Sequence, residues 1–200
     1  MNIASEMRNR SDFAGGIEMS FKVPVKEKNG TMKANRKRVI CQDHESRHAL
    51  IMANAGSLLT SAVLLAEKAF PHHGAVNCYD HSIFVAEKSL LLAQKLRLKI
   101  DARSLIRGAL LHDLYLYDWH IPDPEHPHRL HGFFHPARAL RNAAQHFELN
   151  ALEKDIIRKH MFPLTIIPPV CRESWLVCVA DTICAVQEWA RSAHVRGVPR

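Results

Sequence analysis

The spacing of polar and apolar positions changes character near residue 43. Before it, "SFKVPV" alternates and "EKNGT" supplies an Asn-Gly turn signal, so residues 1–43 are expected to be an N-terminal extension, either a small hairpin or disordered. Beyond it the period is helical. Apolar positions predict a helix over 45–70, closed by "PHHG", and a second over 79–96 with Asp80 near its start. Asp101 is placed to N-cap a third, which climbs through Ile106, Ala109, Leu110 and Leu111 to His112 and Asp113. "IPDPEHPHRLHG" is a Pro- and His-rich loop, after which His135-Pro136 restarts a helix with proline at its first position. Asn150 and Glu153 form a capping-box start for a helix ending near Met161. "PLTIIPPV" is a loop, and "RESWLVCVADTICAVQEWARSA" is a long closing helix. The pattern predicts an all-α domain of five or six main helices over residues 44–200.

Composition narrows the classes of function. Two hundred residues suit one domain with a real core. Residues 49–66 carry no charge over a length close to a membrane span, but Asn54, Gly56, Ser57, Thr60 and Ser61 dilute the run and Glu67 and Lys68 end it, so a buried helix is expected there. The five cysteines are odd in number and form no CxxC pair. With no signal peptide at the start, they are expected as reduced thiols of a cytoplasmic protein. The net charge is +7, which favours acidic small molecules as partners. Residues 1–43 hold nine Lys/Arg against five Asp/Glu, so most of the excess lies there and a broad nucleic-acid face is not expected.

Histidine supplies the candidate chemistry. Six of the fourteen fall between 112 and 135: His112, His120, His126, His128, His131 and His135. Leu152, Ile156 and His160 are spaced i, i+4, i+8, so His160 ends an apolar stripe. Asp181 sits amid Val177, Cys178, Cys184 and Ala185, and His81 shares a face with Cys78, Val85 and Leu92. A carboxylate among apolar neighbours is costly unless a cation or several donors satisfy it. Singly, each of these residues reads as a hydrogen-bonded core side chain; Asp181, for one, pairs as readily with an Arg of another helix. Together they place nitrogen and oxygen donors from several helices in one interior, which suits metal coordination.

The order His81, His112-Asp113, His135, His160, Asp181 resembles the H…HD…H…H…D pattern of the HD-domain superfamily of metal-dependent phosphohydrolases. "CYDHSIFVAEKSLLLAQKL" is similar to its first metal-binding helix, "LIRGALLHD" to its namesake helix and "LVCVADTICAVQE" to its closing Asp helix, so the likeness covers about residues 72–192. It implies an all-α HD-type helical bundle whose metal ligands are His81, His112, Asp113, His135, His160 and Asp181, as in the two-metal members. "LYLYDWH" follows the doublet where many hydrolytic members carry Lys or Gly, no GYP motif is present, and Met161 replaces the second His of the cyclic dinucleotide enzymes.

The resemblance implies one or two divalent transition-metal ions, of Fe, Mn, Zn or Ni, bridged by Asp113 and activating water against a phosphorus centre. The substrate class is a small phosphorylated molecule of nucleotide type. His128, Arg129, Arg158 and Lys159 are candidates to hold the phosphate, His120 or His131 to protonate the leaving group, and Trp119 and Phe133 to stack on a base. Two rivals share the scaffold: a di-iron oxygenase of HD type, and a non-catalytic nucleotide-binding regulatory module.

Overall fold

Asp43 begins the first helix as its N-cap: its side chain accepts from the Ser46 amide, while Ser46 Oγ accepts from the Asp43 amide. The structure, a computed structural model, describes residues 34–73, 75–118 and 131–195, except the side chains of His131, His194 and Val195. The elements are β1 (Lys37–Arg38), α1 (His44–Leu59), α2 (Ala62–Leu65), a 3-10 turn (Ala66–Ala69), α3 (Cys78–Lys95), β2 (Lys99–Ile100), α4 (Ala102–Leu111), α5 (His131–His146), α6 (Ala151–Lys159) and α7 (Arg172–Val195). The fold is therefore all-α, as the helical period implies, with one two-residue antiparallel ladder pairing Lys37 with Ile100 and Arg38 with Lys99.

Three local predictions need correction. The helix expected over 45–70 is broken: α1 and the α2 segment meet at 98°. Polar side chains make the break, because Ser61 Oγ donates to the Leu58 carbonyl and accepts from the Leu64 amide, starting a new helix at α2. No single helix among the described residues is long and apolar enough to cross a membrane. The α5 helix starts at His131 rather than at His135, so Pro136 lies inside it and His135 is a helical residue, not a cap. Finally α4 stops at Leu111, with His112 as C-cap and Asp113 in the turn beyond.

Residues 34–43, grouped by sequence with the extension, pack on the helical body. The Arg36 guanidinium grips Glu173 through Nε (2.8 Å) and Nη2 (3.2 Å), and Cys41 is buried with its carbonyl accepting from Gln94. Part of the basic stretch "KANRKR" is thus committed internally. The hairpin expected nearer the N-terminus lies outside the described residues.

The core joins α1, α3, α4, α6 and α7, with Ile51, Val85, Leu90, Leu105, Leu110, Ile156 and Val177 all closed to solvent. α3 packs on both α4 and α7, and α6 bridges α4, α5 and α7. The five helices α3 to α7, which carry or end in the six ligands expected from sequence, are linked through these contacts.

Candidate metal centre

The doublet is presented where a helix ends. His112 caps α4, and its Nδ1 donates to the Ala109 carbonyl at 2.7 Å, an acceptor left open by helix termination. The same device recurs at the end of α6, where His160 Nδ1 lies 2.9 Å from the Ile157 carbonyl. In both rings the proton is thereby fixed on Nδ1 and the Nε2 lone pair faces inward. His81, fully buried on α3, has its Nδ1 2.8 Å from Glu188 Oε1 and its Nε2 3.1 Å from Asp181 Oδ1.

Asp113 sits between two groups of imidazoles. Its Oδ1 lies 3.1 Å from His135 Nε2 and 3.4 Å from His160 Nε2, and its Oδ2 3.5 Å from His112 Nε2. His112 Nε2 is in turn 3.7 Å from Asp181 Oδ1, and His135 and His160 bring their Nε2 atoms within 2.7 Å of each other. All six residues predicted as ligands are brought together and buried. Two of their atoms, His112 Nε2 and Asp113 Oδ1, make no well-aligned hydrogen bond, although charged partners lie 3.1–3.7 Å away. Inward-facing nitrogen lone pairs and carboxylate oxygens at ligand-edge separations, with orphaned members, fit cations at the centre. His81, His112 and Asp181, and separately His112, Asp113 and His160, offer donor atoms that all lie within 4.8 Å of one another. The donors are nitrogen and oxygen alone. The neighbouring Cys78, Cys178 and Cys184 thiols are pushed up by burial, Cys178 to about 11, which disfavours thiolate coordination.

Charge in the cage follows the same geometry. Burial alone would depress the pKa of His81, but Asp181 and Glu188 lift it to about 9. Burial likewise opposes a charge on His112, and Asp113 and Asp181 lift it to about 9. Burial works against ionising Asp113 and Asp181 too, yet the surrounding imidazoles hold both well below the usual carboxylate range. In the metal-free protein, protons on imidazole take the part that cations fill in the loaded site.

Sequence reasoning missed two residues that organise this cage. His72 stacks on His81 with ring centroids 3.6 Å apart, its Nδ1 3.1 Å from Glu188 Oε2 and its Nε2 3.1 Å from Asp113 Oδ2. Glu188 therefore receives one imidazole from each of its oxygens and is held down to about 2, against the pull of its own burial. His72, His81 and Glu188 also qualify by distance as a metal-binding group. Near-parallel rings 3.6 Å apart cannot both aim an in-plane lone pair at one ion, so His72 and His81 do not share one ion. The "PHHG" segment reads as a helix stop, but the Pro71–Asn77 bridge and the His72 N–H to Val76 bond (2.8 Å) shape it into a turn that delivers His72. Glu188 had a visible signal: it lies seven residues after Asp181 on α7, on the same face.

The other predicted site residues fare differently. Lys159 pairs with Asp155 one turn back on α6, and Arg158 is exposed on the same helix. Phe133 is half exposed on α5. His120, His128, Arg129 and Trp119 lie outside the described residues, as does the side chain of His131, the first residue of α5.

Comparison with curated proteins and with solved structures found no match. The HD domain pattern matches residues 78–186, more than half of the chain, and spans all six residues of the cage. The chain belongs to the HD-domain family.

Proposed function

We propose that this chain is a metal-dependent phosphohydrolase that cleaves a phosphate ester or anhydride in a small, nucleotide-like substrate. The observation that carries the reading is Asp113: one buried carboxylate with His135 and His160 at one oxygen and His112 at the other, on the family's namesake doublet. His81, His112 and Asp181 would hold one divalent ion and His135 and His160 a second, with Asp113 between them. Fe, Mn, Zn and Ni all suit this donor set. When bound, such ions supply Lewis acidity and bring the pKa of a coordinated water toward neutrality.

The chain's own residues do the rest. The carbonyls of Ala109 and Ile157 and the carboxylate of Glu188 lock His112, His160 and His81 with their Nε2 atoms inward, so no reorganisation is needed when ligand binds. Burial of the six side chains excludes bulk water from the charges. His131 lies one turn before His135 on α5 and is our candidate, with His120, to deliver a proton to the departing oxygen. His128 and Arg129, with Arg158 and Lys159 on α6, are the candidates to hold the remaining phosphate.

Elemental analysis of the purified protein, followed by a panel of phosphate esters including nucleotides and dinucleoside polyphosphates, tests the proposal. The expected result is a stoichiometric transition metal and phosphate or nucleotide release that disappears, with the metal, in Asp113→Ala. Turnover persisting in metal-free Asp113→Ala protein would exclude this chemistry. Oxygen consumption by iron-loaded protein on a polyol or phosphonate, without phosphate release, would assign the cage to oxygenase chemistry instead.

A further inference from the structure

Glu67 has no role in the site as built so far. It lies in the 3-10 turn Ala66–Ala69 and is 1% exposed. Both of its carboxyl oxygens are buried without a hydrogen-bond partner, a condition it shares with His112 Nε2 and Asp113 Oδ1 in the cage. A carboxyl shut away from water with nothing to bond is strongly unfavourable, and a position that needed only volume would be filled better by leucine or methionine. Packing therefore does not account for a glutamate here.

Its surroundings point to the cage. Its 3-10 turn packs against α3, the helix that begins at Cys78 and carries His81. Cys78 Sγ lies 2.9 Å from the Tyr115 phenol, and the Tyr115 ring packs edge-on against His135. Burial, with the Asp113 charge added, raises the Glu67 pKa above the usual range. Glu67 precedes the matched span 78–186, so family membership assigns it nothing.

We propose that Glu67 is an outer carboxylate of the metal centre, accepting a hydrogen bond from water held by the divalent ions. This rests on the metal-centre reading above and adds to it a residue that no ligand pattern contains.

Mn2+ titration and thermal melting of the full chain test it, comparing wild type with Glu67→Leu and Glu67→Met. Leucine removes the orphaned carboxyl, so the metal-free variant is expected to melt a few degrees above wild type. The same variant is expected to bind Mn2+ roughly tenfold more weakly, in the range seen when an outer partner of a metal site is lost. A purely structural glutamate cannot give these two opposed shifts. A leucine variant that melts lower when metal-free, or binds Mn2+ as tightly as wild type, overturns the proposal. If the leucine variant does not fold, Glu67→Met, of similar length and without an oxygen acceptor, decides by itself: weaker Mn2+ binding than wild type supports the role and equal binding overturns it. Wild-type protein that binds no Mn2+ would sink the metal-centre reading itself, a result distinct from any difference between variants.

Discussion

Glu188 makes the centre depend on proton placement as much as on distance. With one oxygen on each of His72 and His81, it fixes the proton of both rings on Nδ1. Glutamine at 188 has one acceptor and one NH2, so one ring would face a donor, shift its proton to Nε2 and lose the lone pair that His81 aims inward or the geometry that His72 lends Asp113. Glu188→Gln is therefore expected to weaken metal binding roughly ten- to a hundredfold, although no ligand is altered and the volume is conserved. Isothermal titration with Mn2+ measures this, and unchanged affinity would show that the clamp has no hold on the ligands. The six residues of the cage were legible because imidazoles and carboxylates on apolar helix faces are conspicuous. His72 was not, because its role depends on a turn whose shape comes from backbone bonds across 71–77. The partner of Lys159 was equally hidden: adjacency to His160 draws the eye, whereas helical spacing gives its ammonium Asp155 one turn back.

At the level of elements, the alignment of α4 against α6 decides whether His112 and His160 meet, and Gly108 sets that distance. A Cβ at Gly108 would lie 2.6 Å from Ile156 Cδ1 and 2.9 Å from its Cβ and Cγ2. Rotamer changes can move Cδ1 and Cγ2, but Cβ is fixed to the backbone and cannot retreat without moving α6. Gly108→Ala should thus destabilise the fold by about 1–3 kcal/mol through overpacking, despite the better helix propensity of alanine. Because the displaced helices end in His112 and His160, metal affinity should fall along with the melting temperature. A variant that melts lower but binds metal as wild type would separate helix spacing from cage geometry. The elements themselves were readable where local chemistry decides them: Asp101 caps α4 and Asn150 with Glu153 boxes the start of α6, as their side chains predict. They were unreadable where tertiary context overrides the local signal. Pro136 looks like a helix start, yet α5 runs through it from His131. The Ser61 hydroxyl breaks an apolar run that hydropathy alone makes continuous. The two-residue ladder of β1 and β2 is too short for any periodicity to show.

For the whole molecule, the cage couples stability to pH and metal together, and the sign follows from the shifts. His81 and His112 are lifted from an ordinary value of 6.5 to about 9, so without metal their contribution to stability is complete below pH 6.5 and is lost as pH rises through 9. Glu188 is lowered from 4.5 to about 2, so its contribution is complete above pH 4.5 and is lost as pH falls toward 2. Asp113 and Asp181, lowered in the same direction, act alongside it. Metal-free protein should therefore be most stable between these windows and weaken steadily above pH 6.5. Metal binding needs imidazole lone pairs and must expel the protons that occupy them, so its stabilisation grows over the same interval. The gap in melting temperature between Mn2+-loaded and EDTA-treated protein is expected to widen from pH 6.5 to 9, with loaded protein nearly flat and chelated protein falling. Asp181→Asn provides the control, since it removes a carboxylate that lifts both histidines and should move the decline of the chelated protein to lower pH. A gap that stays constant across this range would mean that the buried histidines do not exchange protons for metal, and the link between cage electrostatics and metal binding would be lost.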